Sequence, residues 1–179
     1  ASLAGVVAVG WGGPLRLRSI DTRIEATLDQ APPSGEVLDR ALRLAALHPS
    51  DPWGWARVGG ALATAEPAAA LPYAGLAMSL DPMGSEPHRV AALALLNLGR
   101  PSQALVEMRL AIARANTDLP DLVAALVERW PDREDRLSVL PDEHGQAVRV
   151  VRLLGRFGGP ELASEAWGQV QRRAEQEGR

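Results

Sequence analysis

The chain has 179 residues, of which 46% are hydrophobic but only 4% aromatic, and its formal net charge is −3. That length buries a core without staples, and the absence of cysteine removes disulfides, thiolate metal sites and thiol nucleophiles together. The slight acidic excess excludes a general nucleic-acid binder, which needs a basic surplus to neutralise phosphate, and apolar content dominated by alanine and leucine favours helices over strands.

Residues 1–14 carry no charged side chain. The stretch is shorter than the roughly 20 apolar residues that span a bilayer. Gly10, Gly12, Gly13 and Pro14 break helices, and the basic start of a signal peptide is missing. The segment reads either as a flexible N-terminus or as the membrane-proximal end of a preceding transmembrane helix. In the second case Trp11 sits at the interface, and attachment runs through residues before Ala1.

Leu17, Ile20, Ile24 and Leu28 predict an amphipathic helix over 15–30, ended by Pro32 and Pro33. A second helix over 36–47 completes a leading pair, 15–49, closed by the His48-Pro49 break. Helices follow over 53–64, 66–80, 87–98 and 103–115, separated by proline and glycine turns. Pro72 predicts a kink or a late start in the second of these. Helices over 118–130 and 133–140 form a short pair, 118–143, that reads as an insertion. A final hairpin, 144–179, turns at Gly158-Gly159. No stretch alternates long enough to be a strand. The expected fold is all-α, built from antiparallel helix hairpins.

Self-comparison shows a period of about 34 residues. Trp55-Ala56-Arg57-Val58-Gly59 opens the pattern, and Ala70, Ala77 and Pro82 follow at second-helix spacing. Ala104, Ala111 and Asn116 recur one period after that set, with Gly99 in the turn before Ala104. Gly158, Ala163 and Trp167 repeat the glycine–alanine–aromatic spacing, and Pro49 stands close to one period before Pro82. Small residues let paired helices approach, large ones fill the groove between hairpins, and glycine supplies the turn. This pattern resembles the tetratricopeptide repeat (TPR), with two repeats over 50–117 and one TPR-like hairpin over 144–179. It predicts a short right-handed solenoid.

The order HPSDPWGWARVGGALA, ALPYAGLAMSLDP, LGRPSQALVEMRLAIA, then WPDRED and LPDE before a closing hairpin, resembles the soluble C-terminal TPR tail of bacterial O-antigen ligase- or polymerase-like membrane proteins. The resemblance covers about residues 45–170. It implies a domain on the extracytoplasmic, periplasmic face of the inner membrane, attached to a protein that joins lipid-linked glycans. The chemistry of such proteins lies in the membrane part, so no catalytic residue carries over. The alternatives are a free cytosolic adaptor and a self-associating domain that braces the membrane part.

The residues point to no independent enzyme, no cofactor and no metal site. His48, His88 and His144 have no second histidine or cysteine at ligand spacing, and the run Asp142-Glu143-His144 reads as a solvated loop. His88 occupies an aromatic position of its repeat and is expected to be packed. Asp132, Glu134 and Asp135 stand beside Arg133 and Arg136 as a solvated helix start. The expected site is a partner-binding surface for a protein or peptide. By repeat register, Trp53, Glu86, Arg89, Asn97, Arg152 and Arg156 face the concave side. Trp53 is the anchor, because its neighbour two positions on, Trp55, belongs to the core. Trp130 and Trp167 are expected to fill space between hairpins.

Overall fold

The computed structural model of the protein describes residues 35–176 and Gly178. Segment 1–14 and the helix expected over 15–30 lie outside the described residues. Among the described residues there are nine α-helices and no strand. They are α1 (Gly35–Ala46), α2 (Pro52–Leu62), α3 (Pro67–Leu80), α4 (Ser85–Asn97), α5 (Pro101–Arg114), α6 (Leu119–Arg129), α7 (Arg133–Ser138), α8 (His144–Gly158) and α9 (Pro160–Gln176). Helices α2 and α3, α4 and α5, and α8 and α9 pair as hairpins. The hairpins stack through α3 on α4, α2 on α4, and α6 on α8. This is a short TPR-like solenoid.

The helix limits follow from local chemistry. Proline occupies the first or second position of α2, α3, α5 and α6, where its missing amide costs nothing. Asp51 caps α2 by accepting from Trp53 N at 3.1 Å. At the end of α4, Gly99 takes φ 71°, Gly99 N donates to Leu96 O at 3.0 Å and Arg100 N to Leu95 O at 2.9 Å. That pair of bonds is a Schellman stop, and its left-handed residue favours glycine. Helix α4 starts at Ser85, two residues ahead of expectation, because Pro87 falls in the first turn, where no intrahelical donor is needed. Helix α3 starts at Pro67 and runs through Pro72, so the expected late start is absent. The carbonyl that loses its donor is that of Ala68. Both Ala68 and Pro72 are exposed, which leaves that carbonyl to water.

The largest cluster of buried side chains joins α5, α6, α8 and α9 around Met108, Ile112, Leu122, Leu126, Trp130 and Leu154. A second joins α1, α2 and α3 around Ala41, Val58, Leu62 and Ala70, with Trp55 and Tyr73 at its edge. The Trp55 and Tyr73 rings stack at 6.2 Å, and Trp55 Nε1 donates to Pro49 O at 3.0 Å. Trp130 is buried as expected. Trp167 is 39% exposed, a correction to its reading as a filler between hairpins.

A close approach of three helices is at Gly59. A β-carbon there would lie 3.0 Å from Val90 Cγ1, 3.3 Å from Ala70 O and 3.4 Å from Tyr73 Cβ. One position of α2 therefore meets both α3 and α4. Ala70, Ala77, Ala104 and Ala111, the small positions of the two central repeats, are all fully buried.

Helix ends are closed by side chains of the next hairpin. Asn97 Nδ2 donates to Ala63 O at 2.8 Å, just past α2. The buried Gln146 Nε2 donates to Ile112 O and Ala115 O, both at 2.9 Å, and Arg149 reaches Asn116 O at 2.9 Å. Arg136 closes α6 through Val127 O and Trp130 O at 2.9 and 2.6 Å. These donors meet carbonyls at helix ends; Ile112 O also accepts from Ala115 N at 3.3 Å. His88 is held between Glu107 and Arg114 of α5. Arg114 can only donate, so it donates to Nε2, and Nδ1–H donates to Glu107 at 2.6 Å.

Gly59→Ala should destabilise the fold by about 1–3 kcal/mol, because a backbone carbonyl on one side and Val90 on the other oppose the added methyl. Gly75→Ala, on the open face of α3, should stabilise by about 0.5–1 kcal/mol through helix propensity alone. Urea denaturation of the pair reads the contrast; equal effects would remove the close-approach argument. Gln146→Ala should cost about 1–3 kcal/mol, since it removes the side-chain donor shared by the Ile112 and Ala115 carbonyls and leaves the Ala115 carbonyl without that bond at the end of α5. A midpoint unchanged from the parent would show that water replaces the clasp.

Candidate interaction groove

The first helices of successive pairs, α2 and α4, line up with α6 around an open groove of about 430 Å³. Helix α2 contributes Trp53 and, one turn later, Arg57, whose guanidinium lies 4.8 Å from the Trp53 ring centroid. That is cation–π range. Helix α4 contributes Glu86 and Arg89. Helix α6 and its cap supply Asp118, Asp121, Leu122 and Ala125. The pair over 118–143 that reads as an insertion thus walls the groove with its first helix. Three of the expected concave-face residues, Trp53, Glu86 and Arg89, meet here.

The other three do not border this groove. Asn97 sits at the C-terminal end of α4, where its amide bonds Ala63 O. Arg152 is exposed on α8, and Arg156 lies 5.3 Å from the Phe157 ring centroid. The register argument placed all six on one curved face. Asn97 and Arg156 turn to partners near their own helix ends.

The charges of the groove are unequally committed. Arg89 holds Glu86 through Nε and Nη2 at 2.6 and 2.5 Å, a bidentate pair that uses both carboxylate oxygens. The Arg89 pKa is raised above its usual value. The hydrogen bond to Glu86 is the main cause, burial opposes it, and the fields of Glu86, Asp118 and Asp121 add to the rise. Asp118 accepts from Ser85 Oγ at 2.5 Å and from Asn116 N at 3.0 Å. The Asp121 carboxylate is exposed and makes no hydrogen bond or ion pair with the described residues.

Sequence reasoning missed Arg57, Asp118 and Asp121. One signal was available. Glu86 stands close to one repeat period after Trp53, and a further repeat step reaches the Asp118–Asp121 turn.

A second, smaller pocket of about 200 Å³ shares Trp53 and Glu86 with the groove. Its remaining walls are Pro52, Ala56 and Pro87, with Asp81 at the edge. Other charged groups noted in the sequence serve the scaffold. Glu143 caps α8 through Gly145 N and Gln146 N at 2.8 and 2.5 Å. Asp142 accepts from Arg109 at 2.8 and 2.9 Å, and Arg133 reaches Glu165 at 3.2 Å. Among the described residues, no helix is long and apolar enough to cross a membrane.

No protein-family model matches the sequence, and no curated protein matches it. The chain is similar in structure to two solved structures of MamA. One has a TM-score of 0.48 at 14% identity and covers 89% of this chain and 94% of that chain. The other has a TM-score of 0.45 at 14% identity and covers 79% and 89%.

Proposed function

We propose that this chain is a non-enzymatic, TPR-type protein-interaction domain, and that it forms the extracytoplasmic tail of an O-antigen ligase-like membrane protein. The observation that carries the interaction reading is the groove between α2, α4 and α6, with the partly exposed Trp53 on its rim. Tryptophan and arginine in a concave setting are the residue types that anchor interfaces. The non-enzymatic reading is supported by where the polar groups go. His88, Gln146, Arg136, Asp142 and Glu143 are engaged in packing, capping and helix closure. The membrane context rests on the sequence resemblance over about 45–170 and on the uncharged segment 1–14.

A second reading, self-association that braces a membrane part, has one observation in its favour. Helix α3 carries no charged residue, and Leu76, Leu80 and Met83 are exposed along it and just past its end at helical spacing.

Trp53→Ala should weaken capture of a native partner by more than about 1 kcal/mol. Affinity capture from native extract with both forms checks this, and equal recovery would remove Trp53 and its groove from the function. Light scattering separates the two readings, since a bracing domain is a dimer at working concentration and an adaptor is a monomer. For the location, an antibody to the domain should detect a membrane-bound band larger than this chain that external protease cuts on intact inner membranes. A soluble cytosolic band of this size would overturn the extracytoplasmic assignment.

A further inference from the structure

We infer that the groove recognises a basic, partly apolar peptide segment, with a lysine or arginine directed at Asp121 and Asp118 and an adjoining apolar side chain on the far side of Trp53. This inference rests on the groove being a protein-binding surface. Its first support is charge. Across the groove and the neighbouring pocket, four carboxylates (Asp81, Glu86, Asp118, Asp121) meet two guanidiniums, Arg57 and Arg89. Arg89 is committed to both oxygens of Glu86, and Arg57 lies against the Trp53 face. Asp121 is left open, and Asp118 has neutral donors only, the Ser85 hydroxyl and the Asn116 amide. An incoming cation gains from both, whereas an incoming carboxylate meets their repulsion.

The second support is shape. Trp53 is a wall common to the charged groove and the smaller pocket, where the partly exposed Pro52 adds apolar surface beside the buried Ala56 and Pro87. A chain crossing Trp53 therefore places one side chain in each compartment. The partly exposed Ala125 on the α6 wall, above the buried Leu122, accepts the aliphatic stem of the basic residue while its head group reaches Asp121. A purely charged ligand leaves the smaller pocket empty, and a purely apolar one leaves Asp121 unanswered.

The test is selection of phage-displayed random peptides on the immobilised full chain. Selected peptides are then synthesised and titrated by fluorescence anisotropy against the parent, Asp121→Asn, Asp121→Arg and Trp53→Ala. The expected result is enrichment of lysine or arginine beside an apolar residue. Affinity should fall roughly tenfold in Asp121→Asn, as expected for loss of a charge-assisted bond, and should weaken with added salt. Asp121→Arg should select acidic peptides instead. Enrichment of acidic or uncharged peptides on the parent overturns the inference, as does equal binding to the parent and Asp121→Asn. If such peptides still lose binding in Trp53→Ala, the groove reading stands and only its charge preference falls. If the selected peptides bind all variants alike, or none is enriched, the groove reading falls with it. Asp121 is exposed in the first turn of α6, so its substitution carries the test even where Trp53→Ala compromises folding.

Discussion

The structure depends on how closely α2 approaches its two neighbours at Gly59. A β-carbon there would crowd Val90 of α4, the Ala70 carbonyl of α3 and the Tyr73 side chain at 3.0 to 3.4 Å. Any larger residue pushes α2 away from the α3–α4 layer, and interiors packed at crystal density do not absorb such a shift cheaply. The buried alanines of the following helices extend the same constraint along the stack. With α2 and α4 held this near, Trp53 and Arg57 are brought opposite Glu86 and Arg89. The groove is a consequence of hairpin spacing, and the charged residues in it are presented by a rigid frame.

Polar clasps carry that frame from one hairpin to the next. Asn97, Gln146, Arg149 and Arg173 each reach back to carbonyls 31 to 34 residues earlier. A helix end that is buried must find a donor, and in a stacked array the nearest donor belongs to the following unit. Each repeat is thereby tied to its predecessor by direction-specific bonds as well as by apolar contact. The clasps also sort the chain's many arginines. Arg136, Arg149 and Arg173 are used in holding helix ends, Arg109 in holding the turn before α8, and Arg89 in holding Glu86. Against that background the carboxylate of Asp121 stands apart, because it faces the groove and makes no hydrogen bond or ion pair among the described residues, acting on Arg89 through its field alone.

The described helices were legible in the sequence to within a few residues, because their limits are set by nearby atoms. Proline at the first turn, glycine at positive φ and an aspartate cap act through neighbours within one turn. Pro72 is the instructive exception. Propensity alone predicts interruption, but the lost bond lies on the exposed side of α3, and packing of Ala70, Ala74 and Ala77 keeps the helix continuous. Trp167 is the opposite case. Its repeat position suggested a filled interior, yet it is 39% exposed on α9.

The sequence by itself determined the helical class, the positions of the breaks and the repeat period. All three are written in local spacing and in small-residue periodicity. By helical register it also placed Trp53, Glu86, Arg89, Asn97, Arg152 and Arg156 on one side of the stack, and the groove gathers the first three of them. Only the tertiary structure decided which charged groups remain available. Whether an arginine faces a groove or closes a helix depends on a carbonyl or carboxylate in the preceding repeat, as with Arg149 and Asn116, or in the following one, as with Arg109 and Asp142. That pairing is settled by how hairpins stack, and no spacing within one helix encodes it.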